Sequence, residues 1–227
     1  MDLNCDMGEI AGDTAVMPFV TSANIACGGH AGDEASMKAT VAEALRYRVA
    51  VGAHPGYPDR PNFGRLEMNL PPAAISDFVY EQVARLGKIA PLSHVKPHCA
   101  LYNQAARDRV LAKAIADGVS RWSRDVVMVG LAGSAMLDAF KDAGFSVAAE
   151  AFADRRYEPD GSLRSRKFAD ALITDPEAAA EHAVQLAREG KAQTICIHGD
   201  TPGALKIAES VSRKLREAGI ELRSFAK

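Results

Sequence analysis

An irregular, TIM-barrel-like parallel (β/α) barrel of seven strands is the fold this sequence predicts, and three observations predict it. Seven short apolar runs, at 2–6, 21–27, 49–53, 93–97, 126–131, 146–152 and 194–198, alternate with segments of helical periodicity. They are rich in Val, Ile and Cys and read as largely unalternating, as strands of a sheet buried on both faces should. Four of the six histidines, His30, His54, His98 and His198, stand at or just past the end of a run, which places them at one end of a sheet whose crossovers are right-handed. No Gly-rich dinucleotide turn follows any run, which favours the barrel over an open doubly wound sheet.

Each connecting helix carries local punctuation. Met37, Val41, Ala44 and Leu45 form an apolar stripe after the second run. Asp175 before Pro176 reads as an N-cap and first helical residue, with Gly190 past the far end, and Thr201-Pro202 with Gly219 repeats the pattern. Between the latter pair, Ala204, Ile207, Ala208, Val211 and Leu215 make one stripe, with Lys206, Arg213 and Glu217 elsewhere. No linker, low-complexity tract or repeat interrupts residues 1–227, so a single domain is expected.

Bulk properties narrow the function classes. With 27 Lys and Arg against 29 Asp and Glu, the chain has no basic footprint for nucleic acid. It has no apolar stretch long enough to span a membrane and no visible secretory signal, so a cytoplasmic location is expected. Four cysteines without CxxC spacing suit reduced thiols in the core. A GxxxxGK[ST] loop is absent, as are HExxH and HxH, so a nucleotide would be held without a P-loop and a metal only by ligands from different strands.

The polar residues after each run converge, in this fold, on one mouth. The first contributes Asn4, Asp6 and Glu9, the second His30 and Asp33, the third His54 and Asp59, and the fourth Lys96 and His98. The sixth gives Glu150, Asp154 and Arg155, and the seventh His198 and Asp200. Such a mixture can hold anions, move protons or bind a metal. Plainer roles compete: Asp33 can cap the following helix, Asp200 can orient its loop, Asp2 reads as a surface strand-start residue, and His94 and His182 read as structural or surface groups. Cys27 and Cys99 lie near histidines, yet buried small hydrophobes are the simpler reading.

Seven strings carry a resemblance: DLNCDMGE (2–9), TSANIACGGHAGDE (21–34), VGAHPGYPDRPNFGR (51–65), HVKPHCALYN (94–103), GLAGS (130–134), EAFADRRYEPDGSLRSR (150–166) and TICIHGD (194–200). In this order they resemble the LamB/YcsF family, whose fold is similar to the irregular barrels of glycoside hydrolases and of sugar and amide deacetylases. The resemblance implies ATP-coupled opening of 5-oxoproline to L-glutamate by a 5-oxoprolinase that includes two further subunits, B and C, with ATP as co-substrate. Within it, Asp6 and His54 are expected to transfer protons, with Lys96 and His98 also in the catalytic set. Lys96 and Arg155 would hold the substrate carboxylate or the phosphoryl group, and Asn4, Glu9, His30, Glu150, Asp154, His198 and Asp200 would complete the binding pocket. A divalent metal remains open, with Asp6, His30 and His54 as candidate ligands. So do a metal-dependent deacetylase-like hydrolase and a non-catalytic substrate-binding subunit. The chain departs from the family pattern in a shortened segment after Glu9, in the turn Gly28-Gly29-His30, in Cys99 where the family carries glycine, and in shorter stretches before HVKPH and TICIHGD.

Overall fold

The computed structural model describes residues 1–224. Seven parallel strands, β1 (Asp2–Met7), β2 (Ser22–Ala26), β3 (Ala50–His54), β4 (His94–Val95), β5 (Val127–Leu131), β6 (Ser146–Phe152) and β7 (Thr194–His198), close in sequence order, with β7 paired back to β1. Closure removes both sheet edges. The helices α1 (Glu34–Tyr47), α2 (Pro72–Gly87), α3 (Cys99–Ala105), α4 (Arg109–Ser120), α5 (Ala135–Asp142), α6 (Pro176–Glu189) and α7 (Ala204–Glu217) pack around it. Strand positions agree with expectation to within a residue or two, except that β4 contracts to two paired residues beside Gly52 and Ala53.

The two faces of β1 differ more than an unalternating buried strand should. All six of its residues are buried, yet Leu3, Cys5 and Met7 belong to the apolar core while Asp2, Asn4 and Asp6 make polar contacts across the barrel. Polar alternation therefore continues inside the protein, because the barrel interior is lined with hydrogen-bonding groups. Asp2 is the clearest correction: it is 1% exposed, not a surface residue, and accepts hydrogen bonds from the hydroxyls of Thr21, Ser22 and Thr194. Those donors offset much of the cost of burying a carboxylate. Above it, Asn4 donates to Glu150 at 3.0 Å and Thr194 at 2.7 Å, and Asn24 donates to Asn4 at 2.7 Å. His94 fills the interior beside β3, its Nε2 2.7 Å from the Asn24 Oδ1. Gly52 makes room for that ring, since a Cβ there would overlap the imidazole.

Helix boundaries follow local chemistry. Asp33 caps α1 in a reciprocal box with Ser36, and Asp175 caps α6 by accepting from the Ala178 amide, with Gly190 ending it at φ 69°. For α7 the expected Thr201-Pro202 start is displaced to Ala204, with Gly203 at φ 81° before it. The Thr201 hydroxyl instead donates to Asp154 at 2.6 Å, which takes it away from capping. The α7 stripe is buried as predicted, whereas Leu45 at the edge of the α1 stripe is 65% exposed.

Candidate active site

The C-terminal ends of the strands open into a cavity of about 1110 Å³. His54, Lys96, His98 and His198 line it, as do Asp6, Glu9, Arg155 and Asp200. His30 joins the same end, its ring stacked on His98 with centroids 3.6 Å apart. All four strand-end histidines thus share one mouth, and Lys96 and Arg155 face one cavity.

Lys96 is the electrostatic centre of the floor. Its Nζ is 2.9 Å from Asp6 Oδ1, 2.9 Å from Glu150 Oε1 and 3.0 Å from Cys196 Sγ. Burial opposes its charge, but the Asp6 carboxylate, Cys196 and Glu150 outweigh that and raise its pKa well above the ordinary lysine range. Asp6 responds in kind: burial opposes its ionisation, yet His54 and Lys96 hold its carboxyl well below the usual range. A carboxylate held so firmly anionic is a weak base, which suits Asp6 to positioning charge rather than collecting protons.

Glu9 and three histidines form a second group. Glu9 Oε1 lies 2.9 Å from His30 Nε2 and 3.1 Å from His98 Nδ1, and His98 Nδ1 is 2.9 Å from His54 Nε2. Burial and the neighbouring His98 bring His30 down to about 4, and burial also lowers His98. For His54, burial lowers the pKa but Asp6 at 3.4 Å reverses the shift. The structure does not gather Asp6, His30 and His54 as one ligand set: Asp6 groups with Cys196 and His198, while Glu9 groups with His30, His54 and His98.

His198 sits beside the Asp6 group with a carboxylate partner of its own. Its Nδ1 is 2.9 Å from Asp154 Oδ1, and its ring stacks on Phe152 at 5.2 Å. Burial works against the Asp154 anion, but His198 and the Thr201 hydroxyl hold its pKa down at about 2. The anion fixes a hydrogen on Nδ1, which leaves the Nε2 lone pair for the cavity.

Several predicted site residues act one layer back. Asn4 and Glu150 are buried beneath Lys96, Asp154 lies behind His198, Asp33 caps a helix, and Asp59 accepts from Asn62 at 2.8 Å. Asp200 holds Arg65 at 2.6 Å and Arg166 at 2.8 Å at the cavity mouth. Those two arginines and Tyr102 escape sequence reasoning; the one signal for them is that all lie within the strings quoted above. Burial, then the Glu150 carboxylate, push the Tyr102 phenol well above its usual range, so it stays protonated. The cysteines are not poised as thiolates: burial raises Cys27 to about 12 and also raises Cys99. Cys99 adopts φ 36°, a conformation that favours the glycine expected here from the resemblance.

The LamB/YcsF family profile matches residues 1–227. The chain belongs to the LamB/YcsF family. It is 48% identical over 247 aligned positions to a protein of Chloroflexus aggregans named as the A subunit of 5-oxoprolinase, covering 99% of this chain and 98% of that one. Those positions outnumber the 227 residues here, so the relative carries residues that this chain lacks. The crystal structure of a lactam utilization protein from Thermus thermophilus superposes with a TM-score of 0.93 at 39% identity, covering 99% of both chains. A structure described as T48 deacetylase with substrate, at TM-score 0.56 and 13% identity over 97% of this chain and 85% of that one, shares the fold alone. For this LamB/YcsF member the deacetylase reading therefore gains nothing beyond architecture.

Proposed function

We propose that this chain is the lactam-opening subunit of an ATP-dependent 5-oxoprolinase, converting 5-oxo-L-proline to L-glutamate. The observation that carries the reading is the near-full-length identity to a protein named as a 5-oxoprolinase subunit, together with a cavity built from the strings that carry the family resemblance. A five-membered lactam is a resonance-stabilised amide with a poor leaving group, so its oxygen must be activated, and phosphorylation by ATP does this. Water loses a proton as it adds to the carbon, the ring nitrogen departs with a proton to leave an acyl phosphate, and a second water cleaves that acyl phosphate to L-glutamate and inorganic phosphate. His198, held by Asp154, is the group suited to both transfers, since its Nε2 has no hydrogen-bond partner among the described residues. Arg155, whose Nε is buried without a partner, offers a fixed positive charge to the substrate carboxylate or the phosphoryl oxygens. Lys96 and Asp6 set the potential of the floor.

The word subunit in the relatives' name supports partner chains, and two further subunits, B and C, are the partners in this reading. Without a Gly-rich lysine loop, this chain leaves most of the ATP grip to them. Free, largely buried cysteines suit a reducing cytoplasm, and no helix among the described residues is long and apolar enough to cross a membrane. The test is ATP-dependent glutamate release from 5-oxoproline by the chain alone, by the partners alone and by the mixture. Only the mixture should be active, and His198→Gln should lower its turnover by about 10²–10⁴-fold with folding intact. Full activity of the partners without this chain refutes the reading.

A further inference from the structure

The contact between His54 and His98 cannot be satisfied by neutral imidazoles. His54 Nδ1 is 2.8 Å from the Lys96 carbonyl, and His98 Nε2 is 3.0 Å from the Phe63 carbonyl. A carbonyl only accepts, so each of those nitrogens carries the ring's hydrogen. The remaining nitrogens, His54 Nε2 and His98 Nδ1, then present lone pairs to one another at 2.9 Å. Glu9 Oε1 adds a third, 3.1 Å from His98 Nδ1 and 3.6 Å from His54 Nε2.

One extra proton on His98 Nδ1 serves His54 Nε2 and Glu9 Oε1 only by being shared as a three-centre hydrogen bond, and it still leaves the lone pairs of His54 Nε2 and Glu9 Oε1 facing each other at 3.6 Å. A cation equidistant from all three atoms serves every contact at once. The triangle they form, with sides of 2.9, 3.1 and 3.6 Å, is small enough for one ion to reach each corner at about 2.0–2.1 Å.

We infer that Glu9 Oε1, His54 Nε2 and His98 Nδ1 are the protein ligands of a divalent transition-metal ion, a zinc-type site with an open position toward the cavity. Two independent features support it. Each imidazole donates its other N–H to a backbone carbonyl, the arrangement that fixes a ligating histidine's tautomer and orientation. All three ligand residues line the cavity, so an open position is accessible to a small molecule. Two imidazoles and one carboxylate form a donor set of intermediate softness, suited to Zn²⁺ over Mg²⁺ or Ca²⁺. His30 acts one step back: its Nε2, 2.9 Å from Glu9 Oε1, donates to and orients that carboxylate. The site does not depend on the lactam reading.

The experiment uses the full chain without substrate, stripped with a chelator and titrated with Zn²⁺ by calorimetry, then with Co²⁺ by visible absorption. One equivalent of each should bind, with d–d bands of a low-coordinate Co²⁺ centre and a rise in Tm. His98→Gln should weaken Zn²⁺ binding more than about 100-fold and His30→Gln by about 10–100-fold, whereas His182→Gln should leave binding unchanged. Absence of stoichiometric Zn²⁺ and Co²⁺ binding by the folded wild-type chain overturns the assignment, as does binding that His98→Gln and Glu9→Gln both leave intact. Neither result touches ATP-dependent lactam opening, which is measured separately.

Discussion

Lys96→Met should be among the most destabilising single substitutions in this protein, although it replaces one long side chain by another. The wild-type ammonium is buried, with Asp6 and Glu150 carboxylate oxygens both at 2.9 Å. Each contact contributes about 6 kcal/mol of Coulomb attraction at an effective dielectric near 20, most of it offset by the cost of desolvating the charges. Removing the cation discards the attraction but leaves two buried anions, with a typical net loss of about 3–5 kcal/mol. At about 2–4 °C per kcal/mol for a chain of this size, Tm should fall by about 6–20 °C in differential scanning calorimetry. A second substitution identifies the cause. Adding Glu150→Gln removes one of the stranded carboxylates, so the double variant should recover at least about 1 kcal/mol relative to Lys96→Met in urea titrations, while Glu150→Gln alone destabilises. A loss below about 1 kcal/mol for Lys96→Met, or strict additivity of the pair, would refute the view of Lys96 as the counter-ion of the barrel floor.

Two further perturbations read neighbouring parts of the barrel. Asp154 has a native pKa of about 2, below its ordinary value of 3.8, so its stabilising effect is full above about pH 4 and is lost as pH falls toward 2. The shift corresponds to about 2 kcal/mol, and Asp154→Asn should therefore lose more stability relative to wild type at pH 6 than at pH 2.5 in urea titrations; an equal loss at both would sink the assignment. Gly52→Ala should cost about 1–3 kcal/mol, because its Cβ would overlap the His94 ring and displace it from Asn24. A Gly52→Ala variant as stable as wild type, with an unchanged His94 imidazole resonance by NMR, would show that the interior has slack the structure does not contain.

Much of the architecture was legible because it is written in local signals. Strand–helix alternation, the Asp175-Pro176 start and Gly190 stop of α6, and the Asp33 cap of α1 each depend on residues a few positions apart. The strand-end placement of His30, His54, His98 and His198 needed only the parallel topology to bring them to one mouth. The α7 start was misplaced because Thr201 answers to Asp154, 47 residues away, rather than to its own helix.

The sequence by itself determined that a seven-stranded barrel would form and that its polar strand ends would share a face. Tertiary structure alone decided what those groups do there. Successive side chains of a strand point to opposite faces, so a one-residue change of register would exchange Asp2, Asn4 and Asp6 with Leu3, Cys5 and Met7 across the wall. Closure of β7 onto β1, with Asp6 opposite His198, fixes the register that makes Asp2 an interior residue and places Asp6 against Lys96. The roles of Glu9, His54 and His98 rest on separations of about 3 Å between atoms brought together by loops and strands from three parts of the chain. No pattern of neighbours along the sequence encodes a distance of that kind; it exists only when the barrel has closed.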